Sequence, residues 1–150
     1  MTGISDAAGL EALVARAARA GKGAPPVERW NPAYCGELDM EIKRDGTWFY
    51  LGTPIGRQAL VQLFSSVLRK DEDGQTYLVT PVEKIAIRVE DAPFVAVEVN
   101  QSQRDGENVL TFRTNVGDVV EAGPDNPLRF AEEVETGGLK PYLLVRGRLE

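Results

Sequence analysis

Residues 45–55 read DGTWFYLGTPI, and residues 73–82 read DGQTYLVTPV. Both stretches carry Asp-Gly, then a run of aromatic and β-branched residues, then Thr-Pro. Asp and Gly tolerate the left-handed backbone that tight hairpins need, so each Asp-Gly predicts a turn. The residues that follow have the side chains of a half-buried strand. A third echo runs from Asp105-Gly106 through VLTFRTN to Thr114. The shared Thr-Pro step goes beyond turn chemistry and predicts duplicated strand-turn units.

Reading outward from the first copy, Leu38, Met40 and Ile42 alternate with Glu37, Asp39, Glu41 and Lys43. Period-2 alternation predicts a strand with one buried and one wet face, paired in a hairpin with TWFYLG. Downstream, Thr53 is placed to cap a helix whose first residue is Pro54, where a missing N–H costs nothing. The apolar stripe Leu60, Leu63, Phe64, Val67 and Leu68 extends the predicted helix over Pro54–Arg69. Arg69 and Lys70 would then face the negative end of the helix dipole.

After the second copy, Glu83 stands three residues beyond Thr80, the spacing of a capping box, yet no long apolar stripe follows. TPVE is therefore read as one helical turn between strands. Ile85, Ile87 and Val89 alternate, FVAVEVNQ and NVLTFRTN flank the turn RDGE, and GDVVEAG, NPLRFAEE and KPYLLVRGRLE complete an antiparallel set. Near the N-terminus, SDAAGLEALVARAARAG predicts a helix capped by Ser5 or Asp6, followed by the linker GKGAPP. The expected fold class is α+β: two small lobes with repeated antiparallel β motifs and one main helix packed on the first lobe. The expected division is an N-terminal helix and linker over 1–22, a first α+β lobe over 23–80 and a mostly-β lobe over 81–150.

Composition narrows the chemistry. The chain has 150 residues, a net charge of −6, one cysteine and no histidine. Without histidine there is no Ser-His-Asp or Cys-His pairing and no His-bearing zinc site, and one cysteine holds no metal cluster. GKGAPP lacks the spacing of a phosphate-binding P-loop, and GTPIGR lacks its lysine and hydroxyl. No catalysis, cofactor or metal is expected. Residues 81–150 hold 13 acidic against 8 basic side chains, and no cluster of cations suits a nucleic acid. No apolar run approaches a membrane span, the N-terminal residues do not read as a secretory signal, and lone Cys35 fits a reducing compartment. No membrane partner and a cytoplasmic location are the expectations.

The run from WNPAYCGELDMEIKRDGTWFY through TPVEKIAIRVEDAPFVA resembles the bacterial family known as domain of unknown function 1285. The resemblance covers residues 30 to about 130. It implies a two-lobed α+β protein with duplicated β motifs and a C-terminal lobe superficially like a pleckstrin-homology fold. It also implies a nucleotide-like ligand between the lobes and a role in signalling. Members of the family tend to continue past the PYLLVRGRLE element into a closing helix, whereas this sequence stops at Glu150.

The residues read as candidates for an anionic ligand are Arg57, Lys84, Trp48, Arg113 and Arg146. Arg57 stands beside the free N–H groups of a predicted helix start, a setting that suits phosphate. Lys84 stands at the second Thr-Pro step and is expected to face Arg57 across a shared cleft between the lobes. Pairing with a carboxylate such as Glu83 is the alternative for Arg57, simple solvation is the alternative for Lys84, and Trp48 has core packing as its alternative. The function expected is a non-catalytic small-ligand-binding protein; the alternative is a protein-interaction module that uses the edge of the β lobe.

Overall fold

The computed structural model of the chain describes Ala15 and residues 25–150. Apart from Ala15, Pro25 and Pro26, the expected N-terminal helix and linker lie outside the described residues. Two compact units divide the chain, the first ending at Pro93 and the second spanning Phe94–Glu150.

The first unit is a six-stranded sheet with one helix. Its strands are β1 (Tyr34–Ile42), β2 (Trp48–Tyr50), β3 (Thr53–Pro54), β4 (Leu68–Lys70), β5 (Thr76–Thr80) and β6 (Glu83–Val89), and the helix α1 spans Gln58–Ser66. The order across the sheet is β3-β2-β1-β6-β5-β4. β1 and β6 run parallel and the other neighbours are antiparallel. The alternation in β1 is realised: Leu38, Met40 and Ile42 are buried, while Glu37 and Asp39 are exposed. Phe64 of α1 stacks on Trp48 of β2, with ring centroids 6.4 Å apart. That contact fastens the helix to the sheet through two fully buried aromatic rings.

The expected boundary at residue 80 moves to Pro93. β6 lies at the centre of the first sheet, hydrogen-bonded to β1 on one side and β5 on the other. A strand paired on both sides belongs to the core of its unit.

The helix is shorter than Pro54–Arg69 at both ends. Thr53-Pro54 instead forms β3 and pairs with Tyr50 and Phe49, and Arg57 is the N-cap of α1. Proline has no N–H to give a ladder, and an edge strand is where a sheet tolerates it. At the other end, the Asp-Gly turn at 73–74 folds Leu68–Lys70 back onto Thr76–Leu78. Arg69 and Lys70 therefore belong to β4 and not to a helix terminus.

The repeated phrase divides into a real half and a coincidental half. Its Asp-Gly turns share one geometry: Gly46 N–H donates to Lys43 at 2.9 Å, and Gly74 N–H to Asp71 at 3.0 Å. Both glycines have positive φ, and Asp45 and Asp73 each accept from the backbone two residues on. The Thr-Pro steps do not correspond. Thr53-Pro54 follows the two-residue turn Leu51-Gly52, whereas Thr80 precedes the turn Pro81-Val82 and pairs with Glu83. The TPVE segment is thus a hairpin turn without a helix or a capping box, and the duplication read from Thr-Pro is not carried by the backbone.

The second unit contains β7 (Ala96–Arg104), β8 (Glu107–Thr114), β9 (Val119–Glu121), β10 (Leu128–Glu132) and β11 (Leu139–Leu143). β7-β8-β9 form a three-stranded sheet and β10-β11 a hairpin. Its buried apolar side chains among the described residues are few: Phe94, Val116, Val120 and Leu149. Among the described residues no helix is long and apolar enough to cross a membrane.

Candidate functional site

Of the five sequence-derived candidates, Trp48, Arg57 and Lys84 lie in the first unit and Arg113 and Arg146 in the second. Trp48 is 1% exposed, and its buried indole N–H finds no acceptor among the described residues. It is a core side chain and lines no groove. Arg57 is exposed at the start of α1, whose first turn has neither a side-chain cap nor an acidic residue. Lys84 lies in β6 of the same unit, so the two cations do not belong to opposite lobes. Lys84 Nζ donates to Asp71 at 3.0 Å and sits 4.5 Å from the Tyr77 ring centroid. In the second unit, Arg113 pairs with Glu98 across β7 and β8, and Arg146 pairs with Asp118, each at 3.4 Å. Arg146 also lies over the Phe94 ring.

Lys84 belongs to a network that sequence reasoning missed. Arg69, 8% exposed in β4, donates Nε to Asp71 at 2.6 Å. Its Nη1 donates to the carbonyls of Val27 at 2.8 Å and Trp30 at 2.6 Å. Tyr77 O–H donates to Asp73 at 2.5 Å, and the Tyr34 ring meets Tyr77 edge-on. Partial burial acts to raise the Asp71 pKa, but hydrogen bonds from Arg69 and Lys84 prevail and hold it below the usual carboxylate value. The hydrogen bond from Tyr77 likewise lowers Asp73. That bond, with burial, pushes the Tyr77 phenol up to about 12. A carboxylate locked as an anion and a phenol locked as an acid are poor proton shuttles near pH 7. The network clamps the segment around Val27–Trp30 to the sheet edge, and no sequence spacing foretells a bond across 39 to 42 residues.

A second cluster forms an open hollow of about 390 Å3 beside β1 and β2, lined by Asp39, Glu41, Lys43, Phe49 and Arg88 among others. Its charges are internally matched: Arg88 with Asp39 at 2.7 Å and Lys43 with Glu41 at 3.2 Å. No group of three or more potential metal ligands occurs among the described residues.

The remaining feature is an edge. β7 has nine residues, all exposed, and only one neighbour in its sheet. The other edges are shorter: β3, β4 and β9 have two or three residues, and β10 and β11 have five each, with Pro141 in β11. β7 contains neither proline nor lysine, and Val97 and Val99 are 51% and 55% exposed. Long edges without such protection are templates for another strand. Asp105 and Gly106, both with positive φ, close β7 onto β8 in a type I′ turn.

Two family models match the chain in tandem. Residues 25–92 match "Domain of unknown function (DUF1285), N-terminal domain", and residues 93–150 match "Protein of unknown function (DUF1285), C-terminal domain". The chain belongs to the DUF1285 family. The junction of the DUF1285 models at 92/93 falls within one residue of the boundary between the two units. Among solved structures, a DUF1285 family protein from Silicibacter pomeroyi DSS-3 is 54% identical, with a TM-score of 0.83. That match covers 91% of this chain and 75% of the other. A DUF1285 family protein from Shewanella baltica OS155 is 28% identical over 73% of this chain and 79% of its own, with a TM-score of 0.53. The comparison with curated proteins found no match.

Proposed function

We propose that this DUF1285 protein is a non-catalytic interaction module that takes an extended peptide strand onto the edge of β7. One observation carries the reading: β7 is a nine-residue edge strand without proline, exposed throughout and longer than any other edge among the described residues. A strand added there gains main-chain hydrogen bonds, and Val97 and Val99 supply apolar contacts for its side chains. Lone Cys35, a free thiol, suits a cytoplasmic setting for such a module. The experiment is selection from a random-peptide library, followed by hydrogen exchange on the complex. Selected peptides should slow exchange of the outward amides of β7. If the protected amides lie elsewhere, β7 is not the docking edge.

A second reading, the binding of a nucleotide-like anion in bacterial signalling, draws support from Arg57. The first turn of α1 has neither a side-chain cap nor an acidic residue, and the positive end of its dipole lies beside an exposed guanidinium. Thermal melting against a nucleotide panel tests it. A stabilising shift that Arg57→Ala abolishes would support this reading, and a panel without shifts would remove it.

A further inference from the structure

We infer that the strand received by β7 is the β7 of a second copy of this chain, in an antiparallel pairing centred on Gln101. The inference rests on β7 being a docking edge, and it adds the partner and the register.

The phase of the hairpin decides which backbone groups are available. The two-residue loop Asp105-Gly106 closes on the pair Arg104↔Glu107, and the register then runs without a shift to Glu98↔Arg113. A loop of this type closes on a hydrogen-bonded pair, and bonded and non-bonded pairs alternate along an antiparallel ladder. Arg104, Ser102, Asn100 and Glu98 therefore spend their N–H and C=O groups on β8. Val99, Gln101 and Gln103 point theirs away from it.

A two-fold axis through Gln101 brings those outward groups together. Gln101 faces Gln101 of the other copy, and Val99 faces Gln103 on both sides, so all three outward residues exchange bonds. The same register sets Glu98 opposite Arg104 twice, in non-bonded pairs where opposed side chains approach most closely. Both residues already stand in cross-strand ion pairs. Arg113 pairs with Glu98 at 3.4 Å, and Arg104 donates to Glu121 at 2.8 and 3.0 Å. Across the axis these join into one row, Arg113, Glu98, Arg104 and Glu121, with alternating sign. Moving the axis by one residue to Asn100 sets Glu98 against Ser102 and Arg104 against Ala96, and the charge match is lost. The product is a continuous six-stranded antiparallel sheet.

Sedimentation equilibrium on the full chain tests the pairing, with circular dichroism as the check on folding. The wild type should show a concentration-dependent mass of two chains. Gln101→Pro removes an outward N–H from an edge position where proline is tolerated, and should leave a folded monomer. Glu98→Arg sets arginine against arginine and should weaken the dimer at least about tenfold. Adding Arg104→Glu to Glu98→Arg restores opposite charges and should recover it. A wild type that stays monomeric, or a dimer that survives Gln101→Pro, overturns self-pairing. A double variant no better than Glu98→Arg overturns the Gln101 register. If the wild type is monomeric while library peptides still protect the β7 amides, the docking edge stands and only its occupant is wrong.

Discussion

Arg69 and Trp30 lie 39 residues apart, and the guanidinium of one donates to the backbone carbonyl of the other at 2.6 Å. The same nearly buried group holds Asp71, which holds Lys84, so one cation organises an edge of the first sheet. Replacing Arg69 by Met would leave the carbonyls of Val27 and Trp30 and the Asp71 carboxylate short of donors. We predict a loss of about 3 to 5 kcal/mol, as for a buried pair deprived of one partner. Urea denaturation measures it, and a loss under about 1 kcal/mol would show the clamp to be incidental.

Lys84→Ala removes a half-buried partner of Asp71 and its contact with the Tyr77 ring. The expected cost is about 1 to 2 kcal/mol, between exposed and buried pairs. Arg57→Ala should change stability by less than about 0.5 kcal/mol, because the side chain is exposed at the helix start. Parallel thermal melts decide this, and equal losses in the two variants would contradict it.

Tyr77 carries a pH signature. Its phenol rises from 10.0 to about 12 in the folded state, first through its hydrogen bond to Asp73 and then through burial. A group whose folded pKa is raised stabilises the fold below its unfolded pKa, and the contribution disappears as pH climbs through the folded value. Stability should therefore decline between pH 10 and 12, and Tyr77→Phe should flatten that part of the profile. Ultraviolet titration should show one phenol ionising late in the wild type. Four tyrosines titrating together would refute the assignment.

Asp71 makes the opposite prediction in acid. Its folded pKa lies below the ordinary aspartate value of 3.8, so its pairing stabilises the protein above that value. The contribution should fade as pH drops through the lowered folded pKa. Asp71→Asn should lose most of this acid dependence, and a variant with the wild-type acid profile would exclude Asp71 as its source.

Leu51 occupies the first position of a type I′ turn with φ of 52°, a conformation costly for a side chain of its kind. It is 42% exposed, so little burial is at stake. Leu51→Asn should stabilise the protein by about 0.5 to 1 kcal/mol, since Asn-Gly is the favoured pair there. A lower melting temperature would mean that the leucine packs better than its exposure suggests.

Local rules carried far in this chain. The Asp-Gly turns, the alternation of Leu38, Met40 and Ile42, and the β7-β8 hairpin depend on neighbours within about ten residues, and all were legible. The α+β class and membership of the DUF1285 family were also within reach of the residues alone. The helix ends were not. Thr53-Pro54 suits a helix start as well as an edge strand, and only pairing with Tyr50 and Phe49 decides between them. Trp48 could be placed on a strand, but which face meets α1 is settled by packing. The Arg69 clamp and the neighbours of Lys84 depend on contacts between distant segments, which no local periodicity encodes. The exposure of β7 is likewise a property of the sheet. Its sequence specifies a strand, while the order β7-β8-β9 leaves that strand at the edge with its outward N–H and C=O groups facing solvent.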